Sequence, residues 1–281
     1  MKSSMRTAVI TGCDSGIGRS LCEIFLSNGF SVIISYLRSN PFANNNMAYA
    51  KKADFRRPDE VQSFAGFALA RLGRNFRLEY FINNAGVALG GPVELVPLEI
   101  YRETFEINYF TLAALSRAFI PELKKTRGTI GVIGSLAGKV ALPYLSPYAS
   151  SKFAVEGFCD SMRRELNPFG IRTVLFEPGA VATPIWERPP EQDAAYDASV
   201  YGASLASFKK NFIEQGKSGM DASRAALKIF SVLMKKNPGP RYLIDSCAPT
   251  AYLKSKIPDR LLDAIVARLF SMVYGAGPGP I

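Results

Sequence analysis

Ala8-Val9-Ile10-Thr11-Gly12-Cys13-Asp14-Ser15-Gly16-Ile17-Gly18 passes from an apolar β-branched run through three glycines into Leu21, Ile24 and Phe25, an apolar face at helical spacing. That order predicts strand, tight turn and helix. Glycine enters backbone conformations barred to other residues and lets the chain come close to a ligand. A helix starting at such a turn aims unpaired N–H groups and a partial positive charge outward, which suits a pyrophosphate. Gly12, Ser15, Gly16, Ile17 and Gly18 are therefore candidate dinucleotide contacts. Glycines also serve plain turns, so the rest of the chain has to decide.

Working outward, short β-branched runs alternate with longer amphipathic stretches. Strands are predicted near 6–11, 31–36, 48–53, 79–83, 129–134, 171–177 and 241–245. Helices are predicted over 16–28, 58–72, 98–125, 147–168 and 221–236. The alternation argues for an α/β fold, a doubly wound parallel sheet of about seven strands with helices on both faces. No repeat or low-complexity linker divides the 281 residues, so a single domain is expected.

Two stretches depart from the rhythm. Residues 184–218 carry Pro184, Trp186, Pro189, Pro190, Tyr196 and Tyr201 directly after a strand, the expected place for a substrate-loop insertion. The plain alternative is aromatic packing on the core. Residues 258–281 read as a C-terminal helix and tail. Leu262, Ile265, Val266, Leu269 and Val273 form one side, broadened by Leu261 and Phe270, and Asp259, Arg260, Asp263 and Arg268 balance the polar face. That balance favours packing on the fold or a sister subunit over peripheral membrane contact. The glycine-proline end (275–280) is expected to be loose.

Composition removes whole classes of function. The chain has no histidine, which excludes Ser-His-Asp hydrolysis and makes zinc hard to hold; no metal is expected. Cys13, Cys22, Cys159 and Cys247 form no CxxC pair and read as reduced thiols. The net charge of +10 comes from scattered doublets such as Lys51-Lys52 and Arg163-Arg164, without the stripe that nucleic acid wants. No transmembrane segment or secretory leader is read, so a cytoplasmic protein is expected.

Tyr148 and Lys152 lie one helical turn apart, with Ser135 thirteen residues before the tyrosine. A phenol has a pKa near ~10, and bringing it to neutrality takes roughly 4 kcal/mol of differential interaction. The Lys152 ammonium is expected to supply it, making Tyr148 a general acid or base. Ser135 would hydrogen-bond the oxygen on which charge develops. Tyr252 and Lys256 share the spacing, but Gly239 stands thirteen residues upstream, so that pair reads as chance. Between Ile24 and Ala53 there is no Asp or Glu to receive a ribose diol, and Arg38 suits a 2′-phosphate. NADP(H) is therefore favoured, with NAD(H) the other candidate.

Taken together, TGCDSGIG (11–18), Asp54, Asn83-Asn84-Ala85-Gly86, Asn108, Ser135, Tyr148-Ala-Ser-Ser-Lys152, and Pro178-Gly179 with Thr183 resemble the short-chain dehydrogenase/reductase family over roughly the first 185 positions. TGCDSG and the stretch 148–166 look most like its hydroxysteroid and retinol dehydrogenase branch. The resemblance implies a single-domain Rossmann fold and a catalytic set of Asn108, Ser135, Tyr148 and Lys152. Asn108 would help hold a water on a proton relay, and Lys152 would also bind the nicotinamide ribose. Asp54 and Phe55 would flank the adenine, and Asn84, Ala85 and Gly86 would line the adenosine ribose. Pro178, Gly179, Val181 and Thr183 would hold the nicotinamide end.

It further implies hydride exchange between a ketone or aldehyde and an alcohol, on a small hydrophobic substrate. A homodimer or homotetramer would form through the helices at 98–125 and 147–168. The competing reading is a non-catalytic NADP(H) redox sensor of the same fold, which would have no use for Tyr148, Lys152 and Ser135 in register. Sugar-nucleotide epimerisation fits poorly, because the chain after residue 190 is short for a nucleotide-sugar domain. Phe55, where a smaller aliphatic is common, and Arg38, about one position beyond the usual phosphate-reading residue, depart from the family pattern.

Overall fold

The computed structural model describes residues 4–73, 75–186, 191–245 and 257–270. Seven parallel strands form the sheet: β1 (Met5–Ile10), β2 (Ser31–Tyr36), β3 (Ala48–Lys52), β4 (Phe76–Asn83), β5 (Thr129–Ile133), β6 (Arg172–Pro178) and β9 (Arg241–Ile244). Their order is β3-β2-β1-β4-β5-β6-β9. The chain thus winds outward from β1 in one direction and from β4 in the other, opening a crevice at their carboxyl ends. A two-stranded ladder, β7 (Val181–Ala182) with β8 (Met220–Asp221), lies beside that crevice.

The central strands are buried on both faces, which is why they read as unbroken apolar runs. On one face, helix α1 (Gly16–Ser27) and helix α8 (Ala222–Leu233) bury Leu21, Phe25, Ile229 and Leu233. The other face carries α2 (Pro58–Leu69), α4 (Thr111–Thr126) and α5 (Ser146–Leu166), with Phe64, Leu115, Phe119, Val155 and Met162 in the core. Each such side chain contributes about 1.5–3 kcal/mol by leaving water. Phe55 joins this layer edge-on to Phe64, with ring centres 5.8 Å apart. Its unusual bulk fills the core beneath the crevice.

Three expectations need correction. The helix expected over 98–125 is broken: α3 (Leu98–Phe105) runs into a π-helical turn at Glu106–Phe110 before α4 begins. The inserted residue turns the following helix by roughly 100° about its axis, and such bulges gather at functional sites. The 184–218 insertion contains two helices, α6 (Glu191–Asp197) and α7 (Gly202–Lys217). β4 starts at Phe76, before the expected 79, because it pairs with β1 from Met5 onward. The C-terminal helix, α9, spans Asp259–Leu269. Cys247, Pro189, Pro190, the Tyr252–Lys256 pair, Val273 and the glycine-proline end lie outside the described residues, as does the side chain of Trp186.

Candidate active site

The crevice is a cavity of about 600 Å³ running from the β2 end to β7. Gly12, Ser15, Gly16, Ile17, Arg38, Asp54, Phe55, Asn84, Ala85, Gly86, Ser135, Tyr148, Lys152, Pro178, Gly179, Val181 and Thr183 all line it. Gly12 and Gly16 stand at φ +69 and +56, where a side chain is strained. A Cβ on Gly12 would come within 2.9 Å of Ala85 Cα, and one on Gly16 within 2.9 Å of the Thr183 methyl. Ser15 precedes α1 in extended conformation and makes no side-chain cap, leaving the first-turn N–H groups to the cavity. An elongated, partly polar cavity with bare backbone and a helix N-terminus at its middle fits a dinucleotide.

Gly18 and Asn108 lie behind the wall. Gly18 is pressed against Gly12 and the Asn84 amide, whose Nδ2 donates to the Thr11 and Gly12 carbonyls at 2.9 Å. Its role is to let α1 close on the turn. Asn108, in the π-helical turn, is buried; its Oδ1 accepts from Val87 N–H at 2.9 Å, and its Nδ2 donates to the Val87 carbonyl (3.0 Å) and to Ser151 Oγ (2.9 Å). Ser151 in turn donates to the Tyr148 carbonyl at 2.7 Å. The amide therefore ties the segment after β4 to α5.

Tyr148 and Lys152 are buried on the first turns of α5. The Tyr148 phenol is pushed up by burial, and the Ser135 hydroxyl pulls it partly back. Ser135 is held by its own turn, accepting from Ala137 N–H at 3.1 Å. Lys152 is brought down to about 8 by burial. Its Nζ donates to the Ile133 carbonyl at 3.1 Å and stands 5.7 Å from the Tyr148 ring centre. In the protein by itself, burial sets the direction of the phenol. Behind the site, Lys139 and Arg241 gather Glu156 and Glu177, and burial with Glu156 alongside brings Glu177 up to about 6.

At the adenosine end, Asp54 is clasped by Arg56, which holds its carboxyl below the usual range. Arg56, Asp14, Tyr36 and Leu37 also line the cavity and were not singled out from sequence. At the other end, Tyr148 belongs to an apolar cluster with Tyr144, Tyr196, Leu205, Phe208 and Phe270. Tyr196 and Phe208 come from the insertion and Phe270 follows α9, so both irregular stretches close over the tyrosine. Tyr144 sits at φ +62, its hydroxyl 2.6 Å from Ser204 Oγ. A non-glycine residue held there signals a constrained site. Nothing in local spacing marks it.

Fold and cavity together define a nicotinamide-dependent oxidoreductase that works between carbonyl and alcohol. The family model for short chain dehydrogenases matches residues 6–194, and the chain belongs to that family. It is 33% identical to the NADPH-dependent 3-dehydrocapnine reductase of Ornithobacterium rhinotracheale, over 93% of this chain and 96% of the relative. It is 26% identical to the 3-ketodihydrosphingosine reductase of Bacteroides thetaiotaomicron, over 90% and 94% of the two chains.

Among solved structures, a short-chain dehydrogenase from Streptomyces avermitilis superposes with TM-score 0.74 at 26% identity, covering 96% of this chain and 97% of its own. Burkholderia members share the fold: one holding NAD has TM-score 0.75 at 22% identity, covering 94% and 96%. Another, holding NADP, has TM-score 0.69 at 23% identity, covering 96% and 99%. The NADPH-dependent relative agrees with NADP(H) as the favoured cofactor. No helix among the described residues is long and apolar enough to cross a membrane.

Proposed function

We propose that this chain is an NADPH-dependent reductase of an apolar ketone, with Tyr148 as the general acid. The observation that carries the reading is the position of the Tyr148 phenol: on the cavity wall with Ser135, at the junction between the dinucleotide cavity and the cluster of Tyr144, Tyr196, Leu205, Phe208 and Phe270. A carbonyl oxygen seated there meets two hydroxyl donors while its carbon faces the cavity.

NADPH, when bound, supplies the hydride. Tyr148 Oη donates a proton to the carbonyl oxygen as charge builds on it, and Ser135 Oγ steadies the same oxygen. Burial keeps the phenol protonated in the protein by itself, and its raised proton affinity has to be offset before it gives the proton up. Lys152 holds its proton below about pH 8 and places positive charge beside the phenolate left behind. Asn108 positions the machinery through Ser151 and the Tyr148 carbonyl. Asp54, Phe55 and Arg38 would take the adenosine end, and Val181 and Thr183 the nicotinamide end.

Two relatives are named as reductases of 3-dehydrocapnine and 3-ketodihydrosphingosine, and carried over to this chain those names point to a 3-keto substrate. The aromatic closure over Tyr148 supports its apolar character. A homodimer or homotetramer would use the outer faces of α4 and α5, where Phe110 before α4 and Phe153 on α5 are exposed.

The test follows NADPH absorbance against a panel of long-chain 3-ketones, steroid ketones and short aldehydes. Turnover with wild type that disappears in Tyr148→Phe, with cofactor binding kept, supports the reading. Turnover that survives the substitution overturns the role of Tyr148. Cofactor binding with no turnover across the panel would favour a redox sensor instead.

A further inference from the structure

The glycine turn and the end of β2 are laced together three times. Cys13 N–H donates to the Ser35 carbonyl at 2.9 Å, and Gly12 N–H to Ser35 Oγ at 3.0 Å. The third tie is made by a charge. Asp14 accepts the backbone N–H of Leu37 on both oxygens (2.9 and 3.0 Å), that of Arg38 at 2.5 Å and that of Ser39 at 3.4 Å. Three successive N–H groups turned toward one point make an anion-binding concavity. It lies at the end of the second strand, where the 2′ substituent of an adenosine ribose is read. Asp14, Leu37 and Arg38 all line the cavity there.

We propose that Asp14 is a specificity-determining residue, a built-in anion that opposes Arg38 and holds down the enzyme's preference for NADP(H) over NAD(H). The argument is one of charge and occupancy. A 2′-phosphate arriving at this corner is attracted by the Arg38 guanidinium, but the concavity that would cradle it already holds a carboxylate. The carboxylate repels the phosphate and withholds three backbone donors. A 2′-hydroxyl meets no such opposition and can donate to Asp14. The nucleotide choice, read from Arg38 alone in the sequence, thus depends on a balance between two side chains from different turns.

The inference rests on the nicotinamide-cofactor reading, and its test uses binding, so it needs no known substrate. Wild type, Asp14→Asn and Asp14→Ala are titrated with NADPH and NADH, following the fluorescence of the reduced nicotinamide. The Ser35 ties remain in both variants, and matching thermal midpoints show that the turn has survived. Asparagine keeps the shape and an acceptor but removes the charge. The NADPH-to-NADH affinity ratio is expected to rise about tenfold or more, mainly through tighter NADPH, and further in Asp14→Ala, where the N–H groups are freed. An unchanged ratio, with both cofactors weakened equally, would overturn the proposal and reduce Asp14 to a clasp. Wild type that binds neither cofactor would bring down the functional reading and this inference with it. In Arg38→Ala the ratio should move the opposite way; failure of that arm alone would remove Arg38 and leave Asp14 as the sole determinant.

Discussion

Lys152 Nζ stands 5.7 Å from the ring centre of Tyr148 and donates at 3.1 Å to the Ile133 carbonyl on the neighbouring strand. The helical spacing that puts both residues on one face brings the ammonium within reach of the ring. Burial acts on each separately, raising the phenol and bringing the ammonium down to about 8. Several measurable consequences come from this arrangement and from the walls around it.

Lys152 should cost the fold stability at neutral pH. Its value in the folded chain, about 8, lies below the ordinary 10.5. Below about pH 8 folded and unfolded chains both carry the proton, so the full cost of burying the charge applies. Between about 8 and 10.5 the folded chain releases its proton first, and the cost fades. Lys152→Met is expected to stabilise by up to about 3 kcal/mol at pH 7, less at pH 9.5, while turnover is lost. Urea denaturation at the two pH values checks this; a variant less stable at pH 7 contradicts it.

Asn108→Ala should damage stability and turnover together. It leaves the Val87 N–H and carbonyl unpaired and frees Ser151, at about 1–3 kcal/mol for each buried group left unsatisfied. Because Ser151 holds the Tyr148 carbonyl, kcat should fall more than cofactor affinity. Asn108→Asp keeps the acceptor for Val87 N–H and should fall in between. A KM-only effect would speak against a positioning role.

Gly18→Ala should weaken cofactor binding by more than tenfold although Gly18 does not line the cavity, because the added Cβ would run into the Gly12 carbonyl and the Asn84 amide. Gly157, on the outer side of α5, has nothing near its absent Cβ. Gly157→Ala should leave binding alone and add up to about 1 kcal/mol of stability. Cofactor titration and thermal melts of the two variants decide the matter.

Phe208 is 2% exposed and lies against Tyr144, Phe212 and Phe270, with ring centres 5.5, 4.9 and 5.1 Å away. Phe208→Ala is expected to cost about 3–5 kcal/mol. It should also shift kcat/KM toward bulkier ketones, because it hollows the cover over Tyr148. If the ranking of ketones by kcat/KM is unchanged, the cluster is core packing and not a substrate wall.

Much of the architecture could be read in advance because it is written locally. Alternation of short β-branched runs with amphipathic stretches placed all seven strands of the main sheet, most within a residue or two at each end. The π-helical turn at Glu106–Phe110 escaped, because the whole of 98–125 reads as amphipathic, the pattern of one unbroken helix. Helices α6 and α7 escaped because the prolines ahead of them made the stretch read as a loop, although Leu205, Phe208 and Phe212 keep helical spacing along α7. Most of the predicted site residues line one cavity, yet Tyr144 and Arg56 were passed over for want of any local sign.

By itself the sequence determined the family, the parallel sheet, the glycine turn and the register of Ser135, Tyr148 and Lys152. Each of these depends on residues within a turn or two of one another, or on fixed intervals between motifs. Tertiary structure decided the rest. It turned Asp14 back onto the N–H groups of Leu37, Arg38 and Ser39, tied Asn108 to Tyr148 through Ser151, and gathered Tyr144, Tyr196, Phe208 and Phe270 over one phenol. Desolvation and charge act through space, so the proton affinity of Tyr148 and the anion at the β2 end arise only when distant segments meet.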